Sequence, residues 1–303
     1  MGKLSLDLAE ESRLELTKEQ QKQIQEMYQE IAKEIGKKAE SLPNTTSGAL
    51  RRQYLKQLQS QIDEQLTKLG GNLEETIKDN MFQVSLAAVK DNMKWLESVG
   101  MPISGLFSHV PADVVNSVIT GQVYSGNWSL SKAIWNSTEK AKRDINQIIA
   151  SGIAQNKGSY EIAKDLEKYV NPKAQKEWDW SKVYPGTNKK VDYNAQRLAR
   201  TLVSHAYQQS FIRTTRKNPF VTKYKWLTSN SHRVCPLCAS REGRLYDKDE
   251  LPMDHPMGMC TFVALIEDSM EDIANRLADW VEGKNDPALD SWAEDLGYLS
   301  KGG

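Results

Sequence analysis

Cysteine and histidine are scarce in this sequence. Three cysteines and four histidines among 303 residues make no disulfide framework, because an odd count leaves one thiol over in any pairing scheme. Long hydrophobic runs are also missing. The longest apolar stretch, FVALI at 262–266, is strand-sized and far short of the ~20 residues a membrane helix needs, so no membrane partner is expected. Net charge is absent, with forty Lys/Arg against forty Asp/Glu, which excludes binding to a polyanion by bulk charge alone. The start, MGKLSLDLAEES, lacks a basic-then-apolar signal pattern, and Leu6 stands where a myristoylation motif wants Ser or Thr. Synthesis in a cytoplasm is expected.

What charge there is lies unevenly. Between Lys189 and Arg233 ten Lys/Arg face a single acid, Asp192, whereas Ile266 to Gly303 holds ten Asp/Glu against Arg276, Lys284 and Lys301. A basic belt followed by an acidic tail suggests a polyanion site or an internal charge clasp. The candidate phosphate contacts are Arg197, Arg200, Arg213, Arg216, Lys217, Lys223 and Lys225, with Tyr193, Tyr207, Tyr224 and Trp226 as bases' stacking partners or as core.

Helical periodicity dominates the first hundred residues. Ile24, Met27/Tyr28, Ile31 and Ile35 recur at steps of three and four, and Thr17 with Gln20 has the spacing of a capping box. The break at 43–48 leads to a second helix from about Ala49 to Leu69. Gly70-Gly71 reads as a further break, before a third helix that ends at Gly100. Pro111 fits the first turn of a short helix over 111–124. Ser129 starts a long helix, and Gly158-Ser159 opens another that Asn171-Pro172 stops. The segment 177–190, rich in Trp and Tyr, is expected to be loop. From Asp192 a helix of about seven turns carries Leu198, Leu202, His205, Gln209 and Ile212 on one stripe, which makes His205 a packed core histidine; His109 has no evident role. Pro219 ends it, and FVTKYKWLTS alternates as a strand does.

All three cysteines fall within RVCPLCASREGRLYDKDELPMDHPMGMC, Arg233 to Cys260. Cys235, Cys238, His255 and Cys260 form a C-x2-C-x16-H-x4-C pattern. Two thiolates two residues apart can grip one ion, because the turn between them points both sulfurs the same way. The long spacer suits a hairpin, with Glu242-Gly243 at its turn and Arg244-Leu245-Tyr246 returning. Three thiolates and an imidazole suit zinc, and four protein ligands leave no open position for water, so the site reads as structural. Arg233, Arg241 and Arg244 are placed to offset its net negative charge. A Cys235–Cys238 disulfide conflicts with a cytoplasmic setting. A zinc deaminase needs His-x-Glu and Pro-Cys-x-x-Cys, but His232-Arg233-Val234 lacks the Glu and Val234 precedes Cys235. Asp254-His255 is similar to the Asp-His of HNH nucleases, yet no histidine follows His255 to complete such a site.

The order SLSKAIW, IAKDLEKYV, YNAQRLARTLVSHAYQQ and RVCPLCASREGRLY…DHPMGMCTF resembles the phage head-morphogenesis family, the Mu F-like minor head proteins, over roughly Pro111 to Ile266. Many members close with His-Pro-x-Cys-x-Cys; here Gly258 takes the first of those cysteine positions and only Cys260 remains. The resemblance implies a non-enzymatic minor capsid protein of the virion interior, made in a bacterial cytoplasm. Its implied partners are the portal protein, then scaffold or major capsid protein, with double-stranded DNA contacted without sequence preference. The alternative is a metal-dependent nuclease acting during packaging or ejection. The expected fold is mainly α with a small β element: a helical region over 1–104, a core domain over 105–265 containing the Cys/His hairpin, and an acidic tail over 266–303.

Overall fold

A computed structural model describes residues 6–98, 107–124, 126, 129–171, 192–228 and 234–295. Among these the chain is mainly helical with one three-stranded antiparallel sheet, as the fold class expected. The aromatic-rich segment 177–190, with Lys189 and Lys190, lies outside the described residues, as do His232, Arg233 and the side chain of Tyr193.

The first helix, α1, spans Leu6–Glu40 and so begins well before Thr17. Thr17 is interior: its hydroxyl donates to the Arg13 carbonyl at 2.7 Å, the bond of a mid-helix threonine to the preceding turn. Thr17 and Gln20 are buried on the same stripe as Ile24, Tyr28, Ile31, Ile35 and Ala39, so the capping-box spacing is a stripe spacing here.

The second helix, α2, runs unbroken over Gly48–Ser98, and the expected break at Gly70-Gly71 does not occur. Each glycine costs a helix interior about 1 kcal/mol. Against that, Leu66, Leu69, Leu73 and Ile77 continue one buried stripe through the glycines, each contributing about 1.5–3 kcal/mol on burial. Packing outweighs propensity.

The next helices follow the sequence more closely. α3 covers Val110–Ile119 with Pro111 in its first turn, ending earlier than expected. α4, Leu130–Ala154, is capped by Ser129, whose hydroxyl accepts the Lys132 N–H at 3.3 Å. α5, Ser159–Val170, packs against α4; Glu161 closes its first turn on the Gly158 N–H at 2.8 Å. α6 spans Tyr193–Thr215.

The sheet is ordered β2-β1-β3. β1 (Val221–Leu227) pairs antiparallel with β2 (Leu245–Tyr246) and with β3 (Thr261–Ile266). A register shift between Val221 and Lys223 lets Val221, Tyr224 and Trp226 all point inward while Lys223 and Lys225 stay exposed, which is what an extra residue does to a strict alternation. A one-turn helix, α7 (Pro236–Ala239), lies between β1 and β2 in sequence.

The acidic segment folds. Its residues form α8 (Met270–Val281) and α9 (Pro287–Asp295), and Ile273, Leu289 and Trp292 join Leu96 and Phe220 in one hydrophobic cluster. Several acids are structural. Asp272 closes a capping box with Ser269, and Asp286 takes two bonds from Arg276 at 2.7 and 3.2 Å, which holds its carboxyl below the ordinary range.

The chain forms two compact units that do not follow chain order: Met1–Thr17, Asp79–Val118 and Thr201–Gly303 make one, and Lys18–Lys78 with Ile119–Arg200 make the other. The unit boundaries at Thr17, Lys78 and Arg200 fall inside α1, α2 and α6, where no composition shift marks them. No helix among the described residues is long and apolar enough to cross a membrane.

Candidate metal centre

The Cys/His segment belongs to the first of these units. Cys235 sits at the N-cap of α7 with Pro236 at the first helical position, where a missing N–H costs nothing. The Cys235 sulfur accepts the Cys238 N–H at 3.4 Å, and the Ala239 N–H reaches the Cys235 carbonyl at 2.9 Å. This single turn aims both sulfurs one way. The chain then reverses through Gly243, whose φ of 72° is left-handed and favours glycine. The Gly243 N–H donates to Trp226 and the Trp226 N–H to Arg244, at 3.0 and 2.9 Å, setting β2 against β1. The expected turn at Glu242-Gly243 and the returning strand both form, but the strand pairs with β1, upstream of the cysteines, and not with a partner inside the spacer.

The return loop brings in the remaining donors. Cys235, Cys238 and His255 hold their donor atoms within 4.8 Å of one another, and so do Cys238, Asp254 and Cys260. Cys238 is common to both groups. The structure thus gathers all four sequence-predicted ligands into one cluster and adds a carboxylate. Cys238 and Cys260 are buried, packing with Trp226 beside Val234, Tyr246 and Leu251, whereas Cys235 and His255 are half-buried at the mouth.

The protonation of each donor follows from its neighbours. His255 Nδ1 lies 2.9 Å from the Pro256 carbonyl; a carbonyl only accepts, so Nδ1 carries the proton and Nε2 keeps its lone pair. That Nε2 is 3.2 Å from the Cys235 sulfur. The Pro256 carbonyl, ahead of the Asp254 charge and the Cys235 thiol, raises the imidazole's pKa. The Cys238 N–H, with help from His255, lowers that of Cys235. Burial, then the neighbouring thiols, pushes the Cys238 thiol up. A buried thiol that resists ionisation alone, as Cys238 does, is what a divalent ion relieves, since its charge offsets the thiolate. The donor set therefore fits a metal ion.

Side chains of α6 hold the ligand loop. Thr201 Oγ1 accepts the Met257 N–H at 3.1 Å, the Ser204 hydroxyl donates to the Gly258 carbonyl at 3.2 Å, and Gln208 Oε1 accepts the Asp254 N–H at 3.0 Å. His205, a core residue as expected, meets the Asp254 carbonyl with Nε2 at 3.0 Å, which makes Nε2 the protonated nitrogen; burial lowers its pKa. From α1 the wholly buried Arg13 donates to the Cys260 and Met259 carbonyls at 3.4 and 3.3 Å and lies over the Tyr207 ring. Sequence reasoning missed Arg13, because nothing local marks a contact made across so many residues. It met Asp254 only as half of an Asp-His pair. Of the arginines expected to offset the centre's charge, Arg241 stacks on Trp226 at 5.1 Å and Arg244 is exposed.

The predicted phosphate contacts do not stand as one open row. In the first unit, Arg213 donates to Ser117 Oγ at 2.8 Å, Arg216 pairs with Asp249, Lys217 with Asp295, and Lys223 with Asp247 at 3.4 Å. These acids come from α9 and the β2–β3 loop, so the clasp between basic belt and acidic segment forms in part, through exposed pairs that salt screens. Lys225 is exposed on β1. Arg197 and Arg200 belong to the second unit, the former exposed and the latter half-buried. Tyr207, Tyr224 and Trp226 are core residues and present no face to a base. His109 is exposed, 3.9 Å from Asp113.

No family model, curated protein or solved structure matches this chain.

Proposed function

We propose that this chain is a minor head protein of the phage head-morphogenesis type, and that Cys235, Cys238, His255 and Cys260 bind a structural zinc ion in it. One observation carries the reading: the C-x2-C…His-Pro…Cys segment folds so that its four donors fall into two neighbouring groups joined by Cys238, against the helix whose YNAQRLARTLVSHAYQQ sequence carries another part of the resemblance. Zinc would supply charge neutralisation and a cross-link between hairpin and return loop. With four protein ligands it would keep no position for a reacting water, so the role is architectural and the protein no enzyme. In this reading the protein lies inside the capsid, binds the portal protein, and meets scaffold or major capsid protein during assembly. Contact with double-stranded DNA is secondary and falls to Lys225, Arg197, Arg200, Arg213 and the ion-paired Arg216, Lys217 and Lys223.

Two measurements test it. Metal analysis of protein purified without chelator should give one zinc per chain; a value near zero defeats the zinc centre. Co-expression with the portal protein of the same phage should give a complex on size exclusion, and separate elution defeats the head-protein role. Metal-dependent cleavage of plasmid DNA, lost in His255→Ala, would instead establish the nuclease.

A further inference from the structure

We propose that Asp254 is a positioning residue of the metal centre rather than one of its ligands, and that position 258 is glycine because the Asp254 carboxylate fills the space a side chain would need. The inference rests on the metal-binding reading above.

Asp254 lies within the donor cluster and is 4 % exposed, so proximity alone would make it a ligand. Each of its oxygens already holds a main-chain N–H. Oδ1 accepts the His255 N–H at 2.8 Å and Oδ2 the Cys260 N–H at 3.1 Å. One carboxylate thereby orients the backbone of two ligands that stand five residues apart. A zinc-bound carboxylate must bring an oxygen to about 2.0–2.2 Å from the ion, and a rotation that reaches the ion by leaving either N–H would strand a buried donor, costing about 1–3 kcal/mol. Asp254 itself is pinned at both main-chain ends by Gln208 and His205 of α6.

Gly258 completes the device. A Cβ built there would lie 2.0 Å from Oδ2, 2.1 Å from Cγ and 2.2 Å from Oδ1 of Asp254, which no side chain tolerates. The loop can bend this tightly around a carboxylate because Met257 takes a left-handed φ of 68° and the Gly258 N–H closes on the His255 carbonyl at 2.8 Å. A cysteine at 258 is thus incompatible with Asp254 where it stands. The cysteine position that this chain lacks and the carboxylate it holds are two sides of one arrangement.

Cobalt(II) titration of the full chain, followed by its visible and thiolate charge-transfer bands, tests this. If the wild type binds no cobalt, the metal-binding reading fails and takes the inference with it. If it binds, Asp254→Asn, which keeps the side chain's shape, should leave band positions and charge-transfer intensity per bound cobalt unchanged while weakening affinity about 10–100-fold, the usual effect of losing an outer-shell partner. An altered spectrum makes Asp254 a ligand and overturns the inference, as does unchanged affinity. Gly258→Ala reaches the same contact from the other side and should weaken binding comparably. In an Asp254→Ala background it should add little; a full additional loss there overturns the steric link.

Discussion

Two parts of this molecule are held together by different means. The helical unit of Lys18–Lys78 and Ile119–Arg200 rests on repetition: α2 alone buries Leu55, Leu58, Ile62, Leu66, Leu69, Leu73 and Ile77, and neighbouring stripe residues share the same work. The Cys/His segment has only a one-turn helix and a two-residue strand. It relies on named atoms, each used once: the Cys235 sulfur on an N–H, Asp254 on two N–H groups, Arg13 on two carbonyls. A repeated stripe tolerates local error, whereas single-use contacts do not.

The strongest way to break this contrast is to remove the metal. Structural zinc centres carry apparent binding free energies of about 10–16 kcal/mol. Chelation should therefore raise hydrogen exchange sharply over 235–260 while leaving residues 55–77 protected; equal loss of protection in both would erase the distinction. The next effect is a cavity. Leu66→Ala, at a site with no exposure, should cost about 2–5 kcal/mol, read from the urea midpoint, and leave cobalt affinity intact. The smallest concerns the glycine pair. Nothing lies within 4 Å of a Cβ added at Gly71, so Gly71→Ala should stabilise the protein by about 0.5–1 kcal/mol if the helix is continuous. A destabilised variant would restore the break that the glycines suggest.

The residues themselves show why some of this was legible. Cys235, Cys238, His255 and Cys260 were readable because metal-donor chemistry belongs to residue identity and spacing, and so were the Ser129 cap, the Pro111 first turn and the Glu242-Gly243 turn. Gly70-Gly71 misled because propensity is a local quantity and the stripe on either side of it is not. Thr17 misled because a capping spacing and a stripe spacing are both close to one turn. The Lys217–Asp295 pair was foreseen only as a general attraction, since charge runs give sign without partners.

By itself, then, the sequence determined the helical class, a strand within FVTKYKWLTS, and the set of donors able to meet a metal ion, because periodicity and donor chemistry are properties of residues in order. Only the tertiary structure decided that Asp254 and Gly258 share one space, that Arg13 closes on the ligand loop, and that the acidic segment is a packed pair of helices. Each of those depends on which distant atoms arrive at the same place, and no local pattern carries that.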